Sequence, residues 1–187
     1  MKNGLKFTIR LILVIVLGAG AILLALELID NLYEYRSPLS DNPPVPGRSF
    51  GDPFGEQIVF VLIDGLRYDT SLDPAVMPTL NQLRNQGASA KVLSQTPSYS
   101  IPGYGVLLTG AWQYLSDAPA FNLDYEDIPA FTQDNVFSSA KRHGRKTAAS
   151  AYYWFEKLIP ADSLDIGYFT PGEDKLADRA VVDAAIP

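Results

Sequence analysis

The hydrophobic and polar positions divide the chain into an apolar leader, a broken polar stretch and a region of alternating elements. Residues 11–26 read LILVIVLGAGAILLAL, without a charge, and extension to Ile29 admits only Glu27. An amphipathic helix would show polar positions at a period of 3.6, and this run shows none. A bilayer core takes about 20 mostly apolar residues, with tolerance for snorkelling ends. The pattern therefore predicts one transmembrane helix over residues 11–30. A cleaved signal has a shorter apolar region, of about 7–15 residues, and a small-x-small cleavage site. Here the run ends Ala25-Leu26-Glu27-Leu28-Ile29-Asp30, which favours a retained signal anchor. Either reading exports the rest of the chain.

Residues 31–56 lose the apolar pattern and are rich in Pro, Gly, Ser and Asp, including Pro38, Pro43, Pro44, Pro46 and Gly47. They read as an extended linker that lifts a domain off the membrane. From residue 57 the pattern changes again. Residues 58–63, IVFVLI, are a short apolar run rich in β-branched residues and end in Asp64-Gly65. That predicts a strand buried on both faces, as in a parallel sheet covered by helices. A helix follows over Pro78–Gln86, with proline in its first turn and Gly87 as its stop. Residues 88–93 suggest a second strand. Ser100-Ile101-Pro102 opens a helix that Gly110 stops, and residues 111–131 read as a long loop. Thr132 is placed to cap a helix running to His143, with Gly144 at its end. Residues 147–153 suggest a strand. Residues 173–185 put Leu176, Ala177, Ala180, Val181 and Ala184 on one helical face. Strands alternating with helices predict the α/β class, a mostly parallel sheet flanked by helices and preceded by one transmembrane helix.

Charge sharpens this division. Residues 1–30 hold three basic residues, Lys2, Lys6 and Arg10, against Glu27 and Asp30, whereas the remainder holds twelve basic against nineteen acidic residues. All three basic residues precede the apolar run, so residues 1–10 read as a cytoplasmic tail and the domain beyond the linker as extracytoplasmic. The net charge of −6 argues against nucleic-acid binding, which needs clustered Lys and Arg. The 187 residues are 47% apolar and 19% charged, a composition that buries a core and excludes wholesale disorder. The absence of cysteine removes disulfides, thiolate zinc sites and a cysteine nucleophile. His143 is the lone histidine, so a metal site built by this chain must rest mainly on Asp and Glu.

Two places can carry chemistry. Asp64 stands just past the first predicted strand, and open α/β sheets bind ligands at the carboxyl ends of their strands. Read structurally, Asp64-Gly65 is a turn pair. Ser100 precedes a proline-started helix, whose amino terminus favours phosphate and alkoxide charge. Read structurally, it is an N-cap. Together, a carboxylate and a hydroxyl at one sheet edge suit in-line displacement at phosphorus.

Three blocks carry a resemblance. They are Val61-Leu62-Ile63-Asp64-Gly65-Leu66-Arg67-Tyr68-Asp69, then Met77-Pro78-Thr79-Leu80-Asn81-Gln82-Leu83 with Gly87, then Ser100-Ile101-Pro102-Gly103-Tyr104 running into Leu108-Thr109-Gly110. In order and spacing they resemble the start of an alkaline phosphatase superfamily domain, in its type I phosphodiesterase/nucleotide pyrophosphatase branch. The likeness covers roughly residues 57–153 and the tail more loosely. It implies that Asp64 is a metal ligand. It implies that Ser100 is a nucleophile that also binds metal and is transiently phosphorylated, with two divalent ions, as a rule zinc. The substrate would be a phosphate ester or phosphodiester, with Tyr99, Gly103 and Tyr104 nearest to it.

Two departures qualify the resemblance. Nucleotide pyrophosphatases carry Asn where this chain has Gly103, and Ser-x-Pro-Gly is more similar to membrane-bound transferases of ethanolamine phosphate. Sulfatases carry Arg where Tyr104 stands. A haloacid-dehalogenase-type phosphatase needs a second Asp where Leu66 stands. The family's later Asp and His ligands have no counterpart here, since His143 lies in a basic helix-end cluster, Lys141-Arg142-His143-Gly144-Arg145-Lys146. The expectation is an amino-terminal portion, residues 57–187, of a longer membrane-anchored phosphodiesterase, inactive as these 187 residues alone. The alternatives are a truncated domain acting by binding, or a phosphoethanolamine-type transferase or sulfatase of the same superfamily.

Overall fold

The computed structural model describes residues 2–39, 42, 45, 55–96, 98–112, 114–116 and 118–186. The chain folds as two compact units, Met1–Pro46 with Pro97–Pro187, and Gly47–Thr96.

In the first unit the apolar leader forms one helix, α1, Lys2–Tyr33. Its 32 residues span about 48 Å at 1.5 Å per residue. The stretch Gly4–Tyr33 is long and apolar enough to cross a membrane, and its apolar window is unburied by the rest of the chain. The helix thus continues past residue 30, into the stretch expected to be linker. Beyond it, Tyr35 donates to the Tyr114 carbonyl (2.6 Å) and the buried Ser37 to the Leu115 carbonyl (2.9 Å). Residues 35–37 are therefore docked rather than free spacer. The linker's residues 40–41, 43–44 and 46–54 lie outside the described residues.

The core of this unit forms around helix α4, Ser100–Thr109; helices α2, Tyr68–Leu72, and α3, Pro78–Gln86, belong to the second unit. Ile101, Tyr104 and Leu108 recur at helical spacing and are buried against Ala118, Ile128, Phe131 and Leu158. Two glycines make SIPGYGVLLT a weak helix by propensity, so tertiary packing holds it. Gly110, at φ +70°, ends it by adopting the left-handed conformation, and its N–H returns to the Val106 carbonyl. The loop expected after it is present, yet it supplies Ala118, Ile128 and Phe131 to this core. It is secured by Gln133 Nε2 on the Leu115 carbonyl and by the Phe131 N–H on the Lys157 carbonyl.

Gly105 is where α4 meets that loop. A Cβ there would lie 2.7 Å from Ala118 Cβ and 3.4 Å from Phe131 Cε2, whereas one at Gly103 would meet nothing within 4 Å. Gly105→Ala is expected to destabilise by about 1–3 kcal/mol through overpacking, less a helix-propensity gain of up to ~1 kcal/mol. Gly103→Ala is expected to stabilise by up to ~1 kcal/mol. Urea titration of both variants checks this, and equal shifts would overturn the close-approach argument.

Helix α5, Val136–Arg142, begins later than expected. Its cap is Asn135, not Thr132, because Asn135 Oδ1 accepts the Phe137 and Ser138 N–H groups. Strands β1, Ala148–Tyr152, and β2, Ile166–Thr170, pair in parallel with Ala148 opposite Ile166. Asp165 fixes the entry to this pair. Its carboxylate accepts the Thr147 N–H and bonds Lys141, which holds its pKa below the usual carboxylate range. Helix α6, Lys175–Ala185, is capped by Asp174 and packs on both strands; its Ala177 is buried, and Ser150 on β1 donates to its Val181 carbonyl. Leu176, expected on that inner face, is 77% exposed. Tyr152 reaches Asp178 on α6, and that bond pushes its pKa up to about 12. Mixed helices with a parallel two-stranded sheet make the class α/β.

The second unit holds α2, Tyr68–Leu72, and α3, Pro78–Gln86, the latter with the bounds the pattern predicts. Asn81 Nδ2 and the Arg84 guanidinium converge on the Ser71 carbonyl, and Arg84 also reaches Ser71 Oγ, so the two helices are joined. The two strands expected here are corrected. Residues 58–63 carry no strand pairing and are 37–89% exposed. Residues 88–93 likewise form no strand, with Val92 and Leu93 about four-fifths exposed. A β-branched apolar run states a demand for burial; among the described residues of this unit no strand meets it.

Candidate active site

Asp64 does not follow a sheet strand as expected. It opens a turn in which its Oδ1 accepts the Gly65 N–H (2.9 Å), and Gly65 takes φ +67°, a conformation that glycine adopts without a Cβ penalty. The structural reading of Asp64-Gly65 as a turn is thus realised, on an exposed surface of the second unit. Three residues on, Arg67 pairs with Asp69 at 2.6 Å and holds that carboxyl below its usual pKa. Lys91 lies 4.9 Å from the centre of the Tyr68 ring.

Ser100 belongs to the first unit. It is the first helical residue of α4 and partly buried; Tyr99, with extended backbone, holds the N-cap position that the sequence suggested for Ser100. The hydroxyl therefore stands in the first turn, where the backbone N–H groups leave partial positive charge. Those donors are few. Asn122 Oδ1 accepts the Ile101 N–H at 3.0 Å, Pro102 has none, and the Gly103 N–H closes the first helical bond to the Tyr99 carbonyl. Asn122 is a residue the sequence reading missed. It lies in the loop 21 positions away, with no local signal tying it to α4.

The neighbours of Ser100 divide sharply. Tyr99 is 48% exposed and meets Phe121 edge-on, with ring centres 5.5 Å apart. Gly103 is partly buried beside open space. Tyr104 is 8% exposed, stacked on Trp154 at 5.7 Å and tilted against Phe155. Its ring fills the core rather than a cleft. His143 donates from Nδ1 to the Ser139 carbonyl and closes α5 beside Lys141 and Arg142, which pair with Asp165 and Asp134.

Among the described residues no group of three or more His, Asp and Glu side chains is placed to hold a metal. Asp64 and Ser100 sit in separate compact units, each with its own surroundings. Among the described residues the donor set does not by itself complete a two-zinc centre. What the residues do offer is a hydroxyl at a helix amino terminus, flanked by an exposed tyrosine and an open glycine, and a carboxylate on a sharp turn.

No curated protein and no solved structure matches the chain. The segment that carries both Asp64 and Ser100, residues 58–113, matches the family of type I phosphodiesterase / nucleotide pyrophosphatase, in keeping with the alkaline phosphatase superfamily.

Proposed function

We propose that this protein is a membrane-anchored, extracytoplasmic phosphoric ester hydrolase that cleaves phosphodiesters through a phospho-serine intermediate on Ser100. The family match over residues 58–113 carries the reading. The place of Ser100 in the first turn of α4 supports it, because the field of a helix amino terminus favours an alkoxide. In the first step the Ser100 Oγ–P bond forms as the P–O bond to the departing alcohol breaks, and the hydroxyl proton leaves with that alcohol. A water oxygen then forms a bond to phosphorus as the Ser100 Oγ–P bond breaks, releasing a phosphate monoester and returning a proton to Ser100 Oγ. Tyr99 and Gly103 border the substrate, and Tyr104 fixes the helix by packing. The domain division follows the same reading: residues 1–10 as cytoplasmic tail, 11–30 as anchor, 31–56 as connection and 57–187 as the phosphodiesterase-like region.

Asp64 is the carboxylate of this reading that would contribute to binding divalent ions, zinc by resemblance. It is one ligand, and no catalytic step is assigned through the ions. In the native membrane-bound protein, Asp64→Asn is expected to lower bound divalent metal, with affinity weakened at least about tenfold. Elemental analysis and chelator competition read this directly. Unchanged content and affinity would overturn the role of Asp64.

The absence of a His and carboxylate cluster among the described residues favours a second reading, a non-catalytic domain acting by binding. The assay that separates the two is turnover of bis-p-nitrophenyl phosphate by the native protein with zinc supplied. Nitrophenolate release above background supports the hydrolase, and its absence supports the binding domain.

A further inference from the structure

Helix α4 begins without a cap of its own. Tyr99 holds the N-cap position and makes no side-chain cap bond; a tyrosine carries its oxygen at the far end of a ring, unsuited to that role. The Ile101 N–H is instead bonded to Asn122 Oδ1 at 3.0 Å, from a loop 21 positions away. Asparagine is among the best capping residues, and here it caps a helix from outside it. An acceptor carried by a loop serves only while the loop keeps its place. Whatever holds Asn122 therefore bears on the first turn of α4 and on Ser100 within it.

Contacts from the end of α1 hold that loop. The Phe121 ring, next to Asn122, meets Tyr33 at 5.2 Å and Tyr99 at 5.5 Å between ring centres. Tyr35 donates to the Tyr114 carbonyl and Ser37 to the Leu115 carbonyl. Ser37 is 3% exposed, and its Oγ also accepts the Leu39 N–H. The Leu115 carbonyl takes a second donor, Gln133 Nε2. Removal of the Ser37 hydroxyl thus leaves that carbonyl bonded and loosens only the segment that follows α1. All of these residues belong to the first unit.

We propose that Asn122 is a positioning residue for Ser100, and that Tyr33, Tyr35 and Ser37, at the end of α1, form a clasp that keeps it in place. This rests on the reading of Ser100 as the nucleophile and adds a control on its rate. The junction between helix and domain is part of the working site rather than a leash. The clasp acts through the loop and not on the reacting atoms. When it is released the loop opens locally, the Ile101 N–H loses its acceptor and the first turn frays. Substrate still binds through its other contacts, but Ser100 is less often in register, so kcat falls and KM holds.

Two variants of the native protein test this without touching Ser100: Tyr35→Phe combined with Ser37→Ala, and Asn122→Ala. Hydrogen exchange reads the clasp independently of activity. Both variants are expected to exchange the Ile101 amide about tenfold faster, with the amides of α6 at wild-type rates. Asn122→Asp keeps an acceptor oxygen and is expected to keep the wild-type rate. The proposal is overturned by unchanged exchange at Ile101 in the Tyr35 and Ser37 variant, or by equal acceleration in α6. Exchange in Asn122→Asp as fast as in Asn122→Ala overturns it too.

Turnover of bis-p-nitrophenyl phosphate reads the consequence. In each variant kcat is expected to fall about tenfold, with KM within about twofold of the wild type. The three substitutions combined are expected to cost no more than Asn122→Ala alone, because both act through one contact. Losses that multiply overturn the route through Asn122. A raised KM at unchanged kcat overturns the positioning role. A wild type without Ser100-dependent turnover overturns the hydrolase reading, and the exchange rates then decide the clasp by themselves.

Discussion

Ser100→Ala is expected to bring phosphodiester turnover by the native protein down to background, a loss of at least about 10³-fold, because no other group takes the place of a removed covalent nucleophile. The fold is expected to survive. Ser100 is the first residue of α4 rather than its cap, and α4 has no side-chain cap hydrogen bond from its N-cap residue. The inner face of the helix is held by Ile101, Tyr104 and Leu108, none of which the substitution touches. Its effect on stability should stay within about 0.5 kcal/mol. Acid quenching with labelled substrate gives a second readout. The wild type is expected to trap label on the Ser100 peptide, and the variant to trap none. Wild-type-like turnover by the variant would overturn the nucleophile assignment, as would label on another residue.

What the chain discloses before folding depends on whether a signal is local. The Pro78–Gln86 helix was legible because proline opens it and Gly87 closes it. The end of α4 was legible because Gly110 adopts a conformation few other residues take. Helix α6 and strand β1 were legible within two residues of their bounds. The start of α5 was not. Thr132 and Asn135 are both good caps by residue type, and it is Asn135 whose Oδ1 accepts the Phe137 and Ser138 N–H groups. The docking of Tyr35 and Ser37 was hidden in a stretch whose prolines and glycines suggested only a spacer. Residues 58–63 show the limit from the other side. Their pattern expresses a demand for burial but names no partner, and here they are exposed.

The candidate site divides along the same line. Motif spacing singled out Asp64 and Ser100 as candidates, and the family match spans both positions. The surroundings that decide their use were not legible. Asn122 reaches the Ile101 N–H across 21 positions. Tyr104 was placed beside the substrate by adjacency to Ser100, but helical spacing turns its ring to the core, against Trp154. Position along a helix settles which neighbours of a nucleophile face it, and adjacency in sequence does not.

That core sets the second large effect. Leu158 ends the 3₁₀ turn Tyr153–Leu158 and is fully buried, in one cluster with Ile101, Tyr104 and Leu108 of α4. Leu158→Ala removes methyl groups from a place whose neighbours come from a helix, a long loop and a turn, so the gap closes poorly. The expected cost is about 2–5 kcal/mol, a large share of the ~5–15 kcal/mol that holds an ordinary domain together. Leu158→Met keeps the volume and should cost less than about 1.5 kcal/mol. Leu176→Ala, at a position 77% exposed, should stay within about 0.5 kcal/mol. Urea unfolding followed through Trp154, which stacks on Tyr104 within this cluster, resolves the three variants. The same loss reaches the chemistry, since α4 is weak by propensity and carries Ser100 only while its inner face is backed. Turnover by Leu158→Ala should therefore fall at denaturant concentrations where the wild type still works, with KM and kcat near normal in the fraction that remains folded. A midpoint for Leu158→Ala no lower than that for Leu176→Ala would overturn the view that this cluster is what holds the helix of Ser100 in place.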